Sequence, residues 1–360
     1  MILQRLRVER LRCLAEADLS LGPGLNLITG GNGAGKSSLI EAVHLLGYGR
    51  SFRGRVRDGL IRSGETQLQV FAEWLDGTGR HRRAGLRHDG RHWEARLDGV
   101  PAPSLTELCA ELAVVTFEPG SHDLIAGGAE QRRRFLDWAL FHVEPQFLGH
   151  WRRYARALRQ RNALLKSQPP AAALAPWDRE LAESGEALTQ QRQAYLEHLE
   201  PILAAVAQEF LPELGRLDLS FLPGWKRDDL ALADALLLGQ ERDRALGYTG
   251  VGPHRADWRV GYAGLPGREA LSRGQEKLTA LVCVLGLARA FHRDRQEWPV
   301  ICLDDLASEL DLSHQRRVLD LLAGSTAQIL LTGTEPPAAL AAYPGSITTF
   351  HVERGRVAAT

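Results

Sequence analysis

The run Gly30-Gly31-Asn32-Gly33-Ala34-Gly35-Lys36-Ser37, with Ser38 behind it, has the residue types and spacing of a phosphate-binding loop. Glycines allow dihedral angles that turn successive backbone N–H groups toward one anion, and a helix starting behind them adds the positive end of its dipole. In such a loop Lys36 bridges the β- and γ-phosphates of ATP, and the Ser37 hydroxyl ligates Mg²⁺. The chain's basic residues are nearly all arginine; Lys36, Lys166, Lys226 and Lys277 are its only lysines. A lysine kept in the loop against that bias points to a need for a compact ammonium. The bland alternative is an ordinary glycine turn, but an apolar strand before the loop and a helix after it favour phosphate.

A second constellation is Val300 to Asp305, an apolar strand ending in two adjacent acids. Alone it reads as a strand whose last acid caps the next turn. Beside a phosphate loop, Asp304 becomes the water-mediated Mg²⁺ partner and Asp305 the group that orients or deprotonates an attacking water. The third is Leu271-Ser272-Arg273-Gly274-Gln275, a turn at a helix start with a hydroxyl and free backbone N–H groups. Ser272 as a plain N-cap is its simplest reading. As an anion site it has no ligand within one chain, so a partner's γ-phosphate is the economical candidate.

These residues need elements to hold them. Apolar positions Ile2, Leu6, Val8 and Leu11 fit strand alternation loosely, Leu25 to Thr29 reads as a buried strand, and Lys36 to Gly47 as a helix. Further strands are predicted at 67–75, 84–88, 92–97 and 112–117, with Asp89-Gly90 and Asp98-Gly99 as hairpin turns. From Ala129 the periodicity turns helical. Pro169-Pro170 and the alanines after them predict a break, and a helix over 177–199 should end or kink at Pro201. Such helices span only about 35 Å, a stubby arm. Strands at 217–221 and 258–262 follow, then a helix over 276–292, a strand at 300–304, a helix over 314–322 and a strand at 328–332. The pattern predicts an α/β lobe assembled from both chain ends, 1–120 and 251–360, with a mainly helical second lobe, 121–250, carrying a short antiparallel arm.

The 360 residues lack a stretch of about 20 apolar residues, so a soluble, cytosolic protein is expected. Cys13, Cys109, Cys283 and Cys302 have no metal-ligand spacing and read as buried thiols. Lys+Arg 44 against Asp+Glu 44 leaves no global basic field, so any nucleic-acid site is a local patch. Two arginine clusters suit a DNA path: Arg50, Arg53, Arg55 and Arg57, and Arg152, Arg153, Arg156 and Arg159. Trp151 and Tyr154, interleaved with the second, could stack exposed bases.

The order of GGNGAGKS, LSRGQ, VICLDD and SELD resembles that of ABC-type ATPase heads, LSRGQ looking like their LSGGQ signature. VGPHRADW (251–258), DDLASELD (304–311), GRSFR (49–53) and RRRFLDWAL (132–140) are similar to the RecF family, related to the SMC/Rad50 class. The resemblance implies an ATP- and Mg²⁺-dependent head and a homodimer formed on ATP. Ser272, Arg273, Gly274 and Gln275 would act in trans, with Ser308 and Asp311 in the dimer loop. It also implies slow, DNA-stimulated hydrolysis, binding to single-stranded, gapped and junction DNA, and partnership with RecR and RecO in loading recombinase, in replication restart and in the SOS response. Two departures from the wider ABC pattern, Asp305 where many heads have Glu and Thr332-Gly333-Thr334 without a switch histidine, imply a weak ATPase used as a timer. A transporter subunit fits the arm and VGPHRADW poorly. A small-molecule kinase leaves LSRGQ and SELD without purpose, and a DNA scaffold with a vestigial site predicts no turnover.

Overall fold

The computed structural model describes residues 1–54, 59–167, 170–265 and 271–359. In chain order the first elements are β1 (Ile2–Leu11), β2 (Leu14–Ser20), β3 (Leu25–Thr29), α1 (Lys36–Tyr48), β4 (Leu68–Leu75), β5 (His81–His88), β6 (Trp93–Leu97), β7 (Val100–Pro101), α2 (Leu105–Glu111) and β8 (Val114–Phe117). Helices α3 (Asp123–Ala126), α4 (Ala129–Val143), α5 (Phe147–Leu165) and α6 (Ala171–Phe210) come next, then β9 (Leu217–Leu222), α7 (Leu232–Leu238), α8 (Gln240–Leu246), β10 (Asp257–Tyr262) and α9 (Arg273–Arg295). The chain closes with β11 (Val300–Leu303), α10 (Leu306–Glu309), α11 (Leu312–Ala323), β12 (Ile329–Gly333), β13 (Ile347–Glu353) and β14 (Arg356–Ala359). Two compact units result: residues 1–121 with 283–360, and residues 122–282. Among the described residues no helix is long and apolar enough to cross a membrane.

The first unit holds two six-stranded sheets. In the antiparallel one, ordered β2-β1-β4-β5-β6-β7, the loose alternation of β1 has a cause: its pairing with β4 slips between Leu3 and Arg5, a bulge that resets which side chains face inward. The other sheet runs β14-β13-β3-β12-β11-β8, and β13, β3, β12, β11 and β8 are mutually parallel. Strands covered on both faces must be apolar throughout, and β3, β11 and β12 are buried along almost their whole length. Beyond the last strand expected from sequence, at 328–332, the chain adds β13 and β14. Their hairpin turns at Arg354 (φ 48°) and Gly355 (φ 75°), both left-handed, as a tight two-residue turn requires.

Among its described residues the second unit is helical apart from the antiparallel pair β9–β10 and connecting loops. Here the expected break at the alanines and the short arm helix fail. Helix α6 begins within the alanines and runs 40 residues through Pro176 and Pro201, about 60 Å rather than 35 Å. Pro201 is exposed, so water can satisfy the carbonyl it leaves unbonded, and packing against α5 and β9 holds the helix across it. Cys13 is the other correction. It lies in the β1–β2 turn and is exposed, whereas Cys109, Cys283 and Cys302 are buried.

Candidate nucleotide site

The phosphate loop leaves the carboxyl end of β3 and closes into α1. Gly30 (φ 150°) and Gly35 (φ 121°) are required on two counts: their backbone is left-handed, and an added Cβ would lie 2.2 Å from Val352 O and 2.6 Å from Leu14 Cδ2 respectively. On the other side of the loop a Cβ at Gly31 or Gly33 would meet nothing within 4 Å, which leaves room for an anion. The β13–β14 hairpin braces the loop from behind, since the Gly355 N–H donates to Ala34 O at 3.1 Å. Lys36 is buried and arches over the loop, its Nζ donating to Gly30 O at 2.8 Å and Gly31 O at 3.0 Å. A cavity of about 90 Å³ opens here, lined by Gly33, Gly35, Lys36, Ser37, Cys13 and Arg53.

Strand order puts β12 between β3 and β11, so Thr332 sits between the loop and the two acids. Its hydroxyl donates to Asp304 Oδ1 at 2.6 Å and accepts from the Asp305 N–H at 2.9 Å. Burial pushes the Asp304 carboxyl above its usual range, and the neighbouring Asp305 adds to this. Hydrogen bonds from Thr332 and Ser37 and the charge of Arg53, 3.9 Å from Asp304 Oδ2, work against it. A buried carboxylate whose charge is disfavoured is a natural seat for a cation. Asp305 stands at φ 54°, ψ 39°, a left-handed state that Asp tolerates better than most residues. Among the described residues its buried Oδ1 has no hydrogen-bond partner.

Ser272 and Gln275, in the second unit, form a reciprocal cap. The Ser272 N–H donates to Gln275 Oε1 at 2.9 Å, and the Gln275 N–H donates to Ser272 Oγ at 3.3 Å. Ser272, Arg273 and Gly274 are exposed. Ser308 is exposed as well, and Asp311 caps α11 through the His314 N–H at 2.9 Å. The Ser313 hydroxyl, then the His314 N–H and ring, hold the Asp311 carboxyl far below its usual range.

The arginine clusters divide. Arg53 lies at the nucleotide cavity, Arg50 is exposed just past α1, and Arg55 and Arg57 fall outside the described residues. On α5, Arg152, Arg156 and Arg159 are exposed, but Arg153 is tied to Glu180 at 2.6 Å and Glu183 at 3.3 Å. Trp151 is exposed. Tyr154 is not available for stacking: it is buried, with its hydroxyl donating to His254 Nδ1 at 2.7 Å while His254 Nε2 donates to Thr249 O. Burial, helped by Arg255 and Arg133, pushes the His254 imidazole down to about 4, which keeps that tautomer neutral. RRRFLDWAL and VGPHRADW meet as structure: Arg132 grips Asp257 at 2.7 and 3.1 Å, and Trp258 Nε1 donates to Arg132 O at 2.7 Å. Sequence spacing could not reveal a contact across 125 positions.

Residues 2–355 match the model of the RecF/RecN/SMC N terminal domain. The chain is 58% identical to the DNA replication and repair protein RecF of Stenotrophomonas maltophilia, with all of both chains covered. It is 40% identical to the RecF of Shewanella denitrificans over 99% of each. Among solved structures it is similar to the recombination mediator protein RecF bound to ATP, at TM-score 0.89 and 27% identity, covering 100% of this chain and 97% of that one. An Smc head bound to the C-winged helix domain of ScpA, 15% identical with TM-score 0.59 over 100% and 97% of the two chains, shares the fold.

Proposed function

Because this chain belongs to the RecF family of DNA replication and repair proteins, we propose that it is an ATP-dependent DNA-binding protein of recombinational repair, with slow, DNA-stimulated hydrolysis as its timer. The observation that carries the reading is the convergence of Lys36, Ser37, Asp304, Thr332 and Asp305 at the carboxyl ends of β3, β12 and β11, where open-sheet proteins bind ligands. The loop amides and Lys36 hold the phosphates. In exchanging its two carbonyl partners for phosphate oxygens, Lys36 stays hydrogen-bonded throughout and gains an opposite charge. Asp305, whose buried Oδ1 has no hydrogen-bond partner among the described residues, orients the attacking water and accepts its proton.

Mg²⁺ fits the donor set. No group of three or more His, Cys, Asp or Glu side chains among the described residues could hold a metal by itself. A hydroxyl and one carboxylate completed by phosphates is the arrangement Mg²⁺ favours, and Ser37 and Asp304 supply that pair. Bound there, the ion would neutralise charge developing on the phosphates.

The resemblance supports an ATP-dependent homodimer in which Ser272, Arg273, Gly274 and Gln275 meet the partner's nucleotide, with Ser308 and Asp311 in the same interface. DNA contact is assigned to Arg50, Arg152 and Arg156, Arg153 being committed to its two glutamates. Single-stranded, gapped and junction DNA are the substrates. RecR and RecO are the partners in loading recombinase, in replication restart and in SOS induction, and a cytoplasmic location follows. ATP turnover measured with and without gapped DNA tests the reading: stimulation supports it, and turnover indifferent to DNA or wholly absent refutes it.

A further inference from the structure

We infer that Thr332 is a positioning residue for hydrolysis, fixing Asp305 through a single hydroxyl shared by the two acids. This rests on the hydrolysis reading above. A threonine hydroxyl has one proton and two lone pairs. At Thr332 the proton goes to Asp304 Oδ1 at 2.6 Å, and the Asp305 amide, which can only donate, fills a lone pair at 2.9 Å. The polarity of the hydroxyl is therefore set from both sides. Thr332 is fully buried on β12, which is bonded to β3 on one side and β11 on the other, so the group has no freedom to reorient.

The consequence falls on Asp305. In a continuing strand, neighbouring side chains point to opposite faces, which would part the two acids. Instead the chain turns left-handed at Asp305 (φ 54°), and the hydrogen bond to Thr332 is what its amide receives in place of a sheet partner. Without the hydroxyl, Asp305 loses the tie that holds this unfavourable conformation and Asp304 loses one hydrogen bond, while the phosphate loop and Lys36 are untouched. The effect should then appear in kcat rather than in nucleotide affinity.

The test compares Thr332→Val, which keeps the shape and removes the hydroxyl, with Thr332→Ser, which keeps the hydroxyl. In Thr332→Val, kcat should fall at least about tenfold, while binding of a fluorescent ATP analogue measured without Mg²⁺, which does not involve Asp304, stays within about threefold of wild type. Thr332→Ser should recover turnover. If Thr332 works through Asp305, the double variant Thr332→Val/Asp305→Asn should be no slower than Asp305→Asn alone. Thermal melting checks folding, and Thr332→Ala replaces the valine variant if that does not fold. Wild-type turnover in the hydroxyl-free variant, or single effects that multiply in the double, overturns the inference alone. A wild-type protein that does not hydrolyse ATP overturns the hydrolysis reading and the inference with it.

Discussion

Replacing Ser272 with Arg separates two roles that one residue can hold. Within one chain Ser272 caps α9, its Oγ accepting the Gln275 N–H at 3.3 Å and its own N–H donating to Gln275 Oε1 at 2.9 Å. Losing the side-chain half of this cap costs about 1 kcal/mol. In a chain of this size that lowers the melting temperature by about 2 °C. Ser272→Ala loses the same cap without adding bulk, so both variants should melt alike. The second role is visible only in a dimer. A stable interface buries at least about 1,200 Å², and one tied to the partner's γ-phosphate closes only if the signature turn fits against it. Ser272 is exposed, so among the described residues a long side chain at position 272 has room toward solvent. Ser272→Arg should therefore bind ATP as wild type does, yet sediment as a monomer with ATP and Mg²⁺ and lose stimulated hydrolysis. Mixed with Lys36→Ala, it should regain partial activity. One composite site then pairs an intact phosphate loop with an intact signature, and the other carries both defects. Ser272→Arg dimers forming as readily as wild type would refute action in trans and leave Ser272 as a helix cap.

Lys36→Ala removes a buried ammonium whose charge-assisted hydrogen bonds are worth about 1.5–3 kcal/mol each. ATP affinity should fall at least about tenfold by calorimetric titration, and unchanged binding by folded protein would exclude the loop. Asp305→Asn keeps a residue that tolerates the left-handed backbone but cannot accept a proton. Phosphate release should drop and ATP-bound dimers persist, whereas normal turnover would place the base elsewhere. Arg132→Met removes the closest partner of Asp257, leaving it the Trp258 N–H and Arg259 at 3.5 Å, and should cost about 1–3 kcal/mol of stability in urea at neutral pH. Burial pushes the Asp257 carboxyl up, but the hydrogen bond and charge of Arg132 outweigh it and hold it below the usual range. That stabilisation is present above the unfolded value of about 4 and is lost as pH falls through the folded one, so the gap between Arg132→Met and wild type should narrow below about pH 4. A gap independent of pH would rule out the ion pair as its source.

Local features carried much of this protein's description. The glycine loop between an apolar strand and a helix, the strand ending in Asp304-Asp305 and the order of the motifs are written in consecutive residues, because glycine dihedrals and helix starts are set by near neighbours. The same is true of the parallel sheet, whose doubly covered strands must be runs of apolar residues. The Arg354-Gly355 turn is an equally local signal, and the hairpin it closes braces the phosphate loop.

Other features depended on long-range packing. Pro201 signals a helix end, yet α6 continues through it because contacts with α5 and β9 outweigh one missing hydrogen bond. Arginine clusters all look alike in sequence. Only the tertiary structure sorts them, setting Arg53 beside Asp304, burying Arg132 against Asp257 and binding Arg153 to Glu180. By itself the sequence determined which chemistry the chain can hold, since residue types and short spacings set it. The tertiary structure decided which side chains meet: Thr332 lies 28 positions from Asp304 and reaches it only because β12 pairs with β11.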